Sequence, residues 1–358
     1  MKKIAFIMNV DWNWIKQRPH FVAEKMSKKS NLIIIYQFLY GRKKLQKRSN
    51  KNLNLKPIYV IPKLSGIKRL KFVNDVILSF FVKKNIRKHQ SDIIFTTYPT
   101  QVDMIPSEFD GEIYYDCMDN HSAFINNEKE RKKLEREEKD LISKATKVFV
   151  SSEYLRRTIS KRYQVELEKV VLVRNAYNGN IIEPEIAATK KTDKSVIKLA
   201  YIGTISSWFD FDTIMDVLGK KNNVEVHLYG PIDKVDIPNN SRIIYHGVIE
   251  HEKLYETIKR MDCLIMPFVL NEIIEAVDPV KVYEYVNFCK NIIIRKYPEV
   301  ERLKDFVYFY NNSAEFIDAI DKIEQSKTIK YSMKQRTDFL KENSWENRVA
   351  IISKEMGL

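Results

Sequence analysis

An α/β protein made of two doubly wound, Rossmann-like parallel sheets in succession is what this sequence predicts, and three observations carry the prediction. Short apolar runs alternate with helical patterns along the whole chain, the rhythm of parallel strands joined by crossover helices. Its 358 residues exceed what one hydrophobic core usually organises. From Asn175 to Asn180, and on through Ala187 to Ser195, turn formers and charges interrupt the rhythm and set a domain boundary. The expected domains are residues 1–180, residues 195–343 and a closing helix over 344–358.

The elements follow in order. Ile4 to Met8 is a buried strand; Asn9, Asp11 and Asn13 end its apolar run too early for a signal peptide, and no small-residue cleavage site follows. Arg18 to Lys28 is a helix with Pro19 at its start, and Leu32 to Tyr36 a second strand. Lys56 to Ile61, a long helix Lys68 to Lys88, Asp92 to Phe95 and Glu112 to Tyr115 continue the series. A charged helix is expected from about Ser122 to Lys144, its run Glu128 to Asp140 reading as a solvated face with i,i+4 ion pairs. Val148 to Val150 and Val170 to Val173 complete the first sheet. The second series comprises Ile197 to Ile202, Val224 to Tyr229, Arg242 to Tyr245, Cys263 to Met266, Ile292 to Ile294 and Val307 to Phe309, before a last amphipathic helix reaching Met356.

Composition bounds the function. Hydrophobic residues at 44% and charged residues at 30% are a globular balance, and no apolar stretch approaches the roughly 20 residues that cross a bilayer. Only 9 glycines are present, so any phosphate site must rely on helix ends more than on glycine-rich loops. Cys117, Cys263 and Cys289 have no metal-ligand spacing and read as reduced core thiols of a cytosolic protein. Charge is uneven: residues up to Thr100 hold 22 Lys and Arg against 4 Asp and Glu, and the remainder is slightly acidic. Such asymmetry points to an anionic partner of the first half, nucleic acid or an acidic membrane. The mixed basic and apolar stretches Ile67 to Val73 and Ile77 to Lys84, with Gly41 to Arg48, favour anionic lipid, although an ordinary amphipathic helix packed on the sheet accounts for the apolar residues as well. No RNA or DNA module is recognisable, and no nucleic acid is expected.

The chemistry centres on Asp278-Pro279-Val280-Lys281-Val282-Tyr283-Glu284-Tyr285, after the apolar run Cys263 to Phe268. A strand, a loop and a helix with Lys and Glu three apart suit a phosphate and a ribose: the helix start offers N–H groups and a positive dipole end, and the carboxylate accepts bonds from vicinal hydroxyls. Any crossover helix can carry such a pair as a plain salt bridge, so the octapeptide alone leaves both readings open.

The block resembles the donor-binding helix of GT-B glycosyltransferases, specifically bacterial family 4-like enzymes with a P-x-K-x-x-E-Y pattern. The resemblance implies that Lys281 meets the donor diphosphate and Glu284 the ribose, with Pro279 and Val280 at the helix start. Tyr201 to Asp210 is similar to the first strand and loop of the donor domain, where Gly203 and Thr204 approach the diphosphate; a tight strand-helix turn without ligand is the lesser alternative for Gly203. Leu228-Tyr229-Gly230-Pro231 and Tyr245-His246-Gly247-Val248 look like the strand ends around the base, implicating Tyr229, Gly230, His246 and Val248. Tyr115 to His121 resembles a Y-D-x-x-D segment in which Asp119 and His121 contact sugar hydroxyls, position the acceptor or remove its proton; Asp119 could instead cap a helix. Asp11, Trp12, Asn13 and Trp14 stand where relatives approach the acceptor, though Trp is also a common core anchor.

Three departures limit the likeness: Ala276 replaces a second Glu, with Glu275 one residue out of register; Asp11 to Trp14 replaces a glycine-rich loop; and Cys289-Lys290-Asn291 stands for Gly-Lys-Pro. Asp210-Phe211-Asp212 is a D-x-D, yet it is placed to open a helix rather than to hold manganese, and no metal is expected. The resemblance implies a GT-B enzyme with no tightly bound cofactor. It would take a nucleotide-sugar donor, a UDP-sugar by family habit, and act on a glycan or lipid-linked acceptor in cell-surface polysaccharide synthesis, retaining and metal-independent. The expected place is cytoplasmic, peripheral on the inner face of the plasma membrane. Rival readings are a catalytically silent GT-B glycan-binding or partner subunit, a nucleic-acid-binding protein and a sugar-nucleotide epimerase.

Overall fold

Continuous apolar runs flanked by helices, buried on both faces, build the sheets of this protein. The structure, a computed structural model, describes residues 1–39, 52–60, 68–177, 179–183, 196–326 and 328–358, the side chains of 39, 68–72 and 251–252 excepted. The basic stretch 41–48 and the linker 187–195 lie outside the described residues. Contacts group the chain into one unit of Met1–Asn175 with Trp345–Leu358 and a second of Ala176–Ser344.

In unit 1 the elements are β1 (Lys3–Met8), α1 (Arg18–Met26), β2 (Asn31–Leu39), β3 (Asn54–Val60), α2 (Lys68–His89), β4 (Ile93–Thr96), β5 (Glu112–Cys117), α3 (Glu128–Lys144), β6 (Lys147–Val150), α4 (Glu153–Tyr163) and β7 (Val170–Leu172). All pair in parallel, in the order β3-β2-β1-β4-β5-β6-β7. Phe6 stacks on Phe95 at 4.7 Å in the core, and the terminal helix Trp345–Glu355 packs on α1, with Trp345 stacked on Phe21 at 5.1 Å.

The helix expected from Ser122 is two pieces. His121–Phe124 forms a short 3-10 turn, and α3 starts only at Glu128, where Asn127 caps it by accepting from the Glu130 N–H at 3.1 Å. The turn formers Asn126 and Asn127 compete with helical backbone, which separates the pieces. On α3 the i,i+4 pairs Arg131–Glu135, Lys132–Glu128, Lys133–Glu137 and Lys144–Asp140 form. Glu138 departs from the solvated face: it is buried, accepting from Tyr115 at 2.8 Å and Tyr163 at 2.5 Å.

Unit 2 runs β8 (Ile197–Ile202), α5 (Phe211–Lys220), β9 (Val224–Tyr229), β10 (Ile243–Tyr245), α6 (His251–Ile258), β11 (Cys263–Met266), α7 (Glu272–Glu275), α8 (Val280–Asn287), β12 (Asn291–Arg295), β13 (Tyr308–Tyr310), α9 (Ser313–Ser326) and α10 (Met333–Glu342). Its parallel sheet is ordered β10-β9-β8-β11-β12-β13. Both sheets change winding direction beside their first strand, between β1 and β4 and between β8 and β11. In open α/β sheets the ligand crevice lies at the carboxyl ends of strands at such a switch.

Candidate functional site

Three strand ends of unit 2 finish on glycine: Gly203 after β8, Gly230 after β9 and Gly247 close after β10. The Gly203 N–H donates to the Tyr229 carbonyl at 2.9 Å and the Gly230 N–H to the Gly247 carbonyl at 2.8 Å. Gly203 has φ +153° and Gly230 φ +138°, values that side-chain-bearing residues rarely adopt, and a Cβ on Gly230 would stand 2.0 Å from the Gly203 carbonyl oxygen. The Tyr201 hydroxyl donates to the Thr204 carbonyl at 3.0 Å, fixing the loop's first turn. Backbone bonds from Asp210 to Pro267 and from Val269 to Trp208 pin that loop to the exit of β11.

Helix α8 is held against this floor. Tyr285, fully buried, accepts from the Ile202 N–H at 3.0 Å, so the helix is tied to the end of β8. Its start is fixed from behind: Asp278, 1% exposed, accepts from Arg302 and from the Tyr283 hydroxyl, and Tyr297 donates to the Val277 carbonyl at 3.1 Å. Pro279 then precedes the first helical residue, and the opening N–H groups of the helix lie outside its own ladder. Lys281 Nζ and Glu284 Oε2 are 3.2 Å apart on one face, partly exposed, and Val280 is exposed beside them.

A second cluster lies on β9 and β10. His227 is buried, its Nε2 3.3 Å from Glu225 Oε2 and its Nδ1 2.9 Å from His246 Nε2. Burial of His227, and for His246 partial desolvation together with its neighbour His227, lower both histidines below the ordinary value, which favours their neutral forms at pH 7. The carboxylate only accepts, which puts the His227 proton on Nε2; His227 Nδ1 then accepts from His246 Nε2, and His246 Nδ1 is left a bare acceptor. The exposed His246 ring stacks on buried Tyr229 at 4.5 Å and 7°. Val248 is exposed two residues on. Asp210 of the D-x-D caps α5, accepting from the Thr213 N–H at 2.9 Å and its hydroxyl at 2.7 Å.

In unit 1, Asp119 and His121 stand together in the segment between β5 and the 3-10 turn. Asp119 does not cap that turn, which Asn120 precedes with no side-chain cap bond. Burial pushes the Asp119 carboxyl up to about 6, against the pull of nearby Arg18 and with the push of Asp116. Burial alone holds His121 down at about 4; its ring leans on Tyr98 at 4.8 Å, and its Nε2 has no hydrogen-bond partner among the described residues. Trp12 is 0% exposed and serves the core, tilted against His20 at 5.1 Å. Asp11 closes a turn by accepting from the Asn13 N–H at 2.9 Å.

Sequence reasoning overlooked the buried polar groups beneath both places. Arg18 grips Asp116 with bonds of 2.7–3.0 Å, and its Nη1 donates to the Val173 carbonyl at 2.7 Å. Thr97 joins the ends of β1 and β4, its hydroxyl donating to the Ile7 carbonyl at 3.1 Å. A lone Arg before a Pro and a Thr ending a strand carry no periodic signal; only Asp116, one residue into the Y-D-x-x-D segment, was conspicuous.

No protein-family model matches the chain. TuaH of Bacillus subtilis (strain 168), assigned by name to teichuronic acid biosynthesis as a glycosyltransferase, is 25% identical over 236 residues. That match spans 59% of this chain and 58% of the relative, under two thirds of its length. Among solved structures, sucrose-phosphate synthase from Thermosynechococcus elongatus aligns with a TM-score of 0.73 at 11% identity, over 100% of this chain and 98% of that one. HepE of Anabaena, in complex with UDP, gives 0.62 at 13% identity, over 99% of this chain and 95% of that one. Identity this low speaks to architecture rather than to chemistry. With two parallel sheets matched from end to end by glycosyltransferase structures, the chain belongs to the GT-B fold.

Proposed function

We propose that the chain is a glycosyltransferase that moves a sugar from a nucleotide-sugar donor, a UDP-sugar, to a glycan or lipid-linked acceptor in cell-surface polysaccharide synthesis. The first turns of α8 carry the proposal: Lys281 and Glu284 side by side on a helix tied to a glycine-lined strand end. The UDP held by HepE and the polymer named for TuaH support it.

In this reading the helix start and Lys281 hold the diphosphate. As the bond to the sugar breaks, negative charge builds on the leaving phosphate oxygen, where a fixed cation and N–H dipoles stabilise the transition state more than the ground state. Glu284 accepts from the ribose hydroxyls. A partly exposed Lys–Glu pair is worth no more than about 1 kcal/mol, so exchanging it for the donor costs little. The stacked His246 and Tyr229 rings are assigned to the base. Asp119 and His121 are assigned to the acceptor side, where the Asp119 carboxylate, raised to about 6, is the better suited of the two to take a proton near neutral pH. The resemblance carries a retaining, metal-independent course.

Glu284→Ala should weaken UDP binding in calorimetry by one to two orders of magnitude, roughly 1.5–3 kcal/mol. Lys281→Ala should lower turnover more than donor affinity. Mutant and wild type binding UDP equally would remove Glu284 from the site. Assays with EDTA, and the anomeric configuration of the product, test the course of the reaction.

We place the enzyme at the cytoplasmic face of an anionic membrane, engaged through α2. Val73, Val76 and Phe80 form an exposed apolar stripe opposite buried Leu78, Val82 and Ile86, followed by Lys83 and Lys84. No helix among the described residues is long and apolar enough to cross a membrane. Vesicles containing acidic lipid should float the protein at low salt and release it as salt rises, and Phe80→Ser with Lys83→Gln and Lys84→Gln should abolish flotation while UDP binding persists. Wild-type protein left in the soluble fraction would end this placement.

A further inference from the structure

We infer that a cleft between α3 and α4 of unit 1 binds an anionic sugar residue of the acceptor chain. The inference rests on the glycosyltransferase reading and adds the charge of its acceptor. The cleft has a volume of about 570 Å³ and is lined by Lys132, Glu135, Arg136, Lys139, Arg162 and Tyr163. The concavity is open to solvent rather than enclosed. Lys132, Arg136 and Lys139 follow one stripe of α3 at spacings of four and three, and Arg162 comes from the last turn of α4.

The internal pairing of these charges is incomplete. Lys132 is engaged by Glu128 at 2.5 Å, and Glu135 by Arg131 at 3.4 Å. Arg136 Nε donates only to the Lys132 carbonyl at 3.3 Å, and Lys139 has neither hydrogen bond nor ion pair among the described residues. Arg162 donates to Ser122 Oγ at 3.1 Å and Asn120 Oδ1 at 3.5 Å, with no carboxylate at salt-bridge distance among the described residues. Three cations from two helices thus converge on one concavity with no carboxylate at salt-bridge distance among the described residues, although Glu135 lines it and the charges of Glu138 and Glu135 reach Arg162. Solvated lysines on a helix, or a cation at a helix C-terminus, would be ordinary singly. Two guanidinium forks and an ammonium around a cleft match a carboxylate or phosphate group, which Arg holds through paired N–H bonds.

The location gives the ligand its identity. Arg162 rests on the Asn120–Ser122 segment, the same loop that carries Asp119 and His121, so an acidic sugar held by Arg162 is held next to the acceptor-side groups of this unit. A glycan bearing carboxylate or phosphate groups along its chain is therefore the occupant. Neutral glycans lack the group that the cleft selects.

Calorimetric titration of the full chain at low salt with trigalacturonate, with a phosphorylated oligosaccharide, with maltotriose and with acidic lipid vesicles tests this. One or both anionic oligosaccharides should bind and maltotriose should not. Affinity should fall at least tenfold in Arg162→Gln, and likewise in Arg136→Gln with Lys139→Gln, while UDP affinity stays unchanged. Should Arg162→Gln loosen the loop, the Arg136 and Lys139 pair decides, since neither side chain ties elements together. Equal binding by wild type and variants, equal binding of neutral and acidic sugars, or variants that lose only vesicle binding would overturn the inference. A wild-type protein that fails to bind UDP would strike the glycosyltransferase reading instead, whatever the sugars do.

Discussion

Arg18→Met should destabilise unit 1 by about 3–5 kcal/mol, because it strands the fully buried Asp116 carboxylate without its cation. The guanidinium makes bonds to both carboxylate oxygens and a further one to the Val173 carbonyl, so one side chain joins α1, β5 and the exit of β7. Arg18→Met combined with Asp116→Leu should recover most of the loss, since a well-packed apolar pair replaces a buried ion pair at little or no cost. Urea unfolding followed by tryptophan fluorescence reads this: Trp12, Trp14 and Trp345 belong to unit 1 and Trp208 to unit 2. A single variant as stable as wild type would show that water, not Arg18, satisfies Asp116.

The second large effect is a pH dependence that two neighbours hide from each other. His121, at about 4 in the folded chain against 6.5 unfolded, makes stability fall on acidification, because between those values the unfolded chain binds the proton and the folded chain does not. Asp119, at about 6 against 3.8, does the reverse over nearly the same window. The two contributions nearly cancel in the wild type. His121→Gln removes one of them, so the variant should gain stability relative to wild type as pH falls from 6.5 to 4, by roughly 3 kcal/mol at most. Parallel urea curves at pH 7, 5.5 and 4.5 measure it; a difference constant with pH would show that His121 takes up its proton in the folded state as readily as in the unfolded one.

Architecture was legible because its signals repeat. Runs such as Ile4 to Met8 and Cys263 to Met266 are apolar at every position, as doubly covered parallel strands require, and their alternation with helices fixed the fold class. The break at Asn126 and Asn127 was missed because no Gly or Pro marks it. Around α8 the sequence pattern pointed to Lys281 and Glu284, and the structure sets them on one helical face. It gave Asp278, the first residue of the octapeptide ending at Tyr285, no role and did not point to Arg302 or Tyr297; all three act through burial and distant partners, relations that no local spacing encodes. The His227–His246 pair escaped for the same reason: its members are 19 residues apart and meet only because β9 and β10 are neighbours.

The glycine floor of unit 2 constrains how this protein can diversify. A side chain at Gly230 would overlap the Gly203 carbonyl, and the obstacle is main chain, which cannot swing aside. Deep mutational scanning should therefore find position 230 intolerant of every replacement. Val248, His246 and Val280, by contrast, stand exposed at the rim, where substitutions leave the backbone untouched. On the proposed reading, divergence in which sugar nucleotide is accepted falls to those exposed positions, and a directed-evolution library aimed at a new donor belongs there.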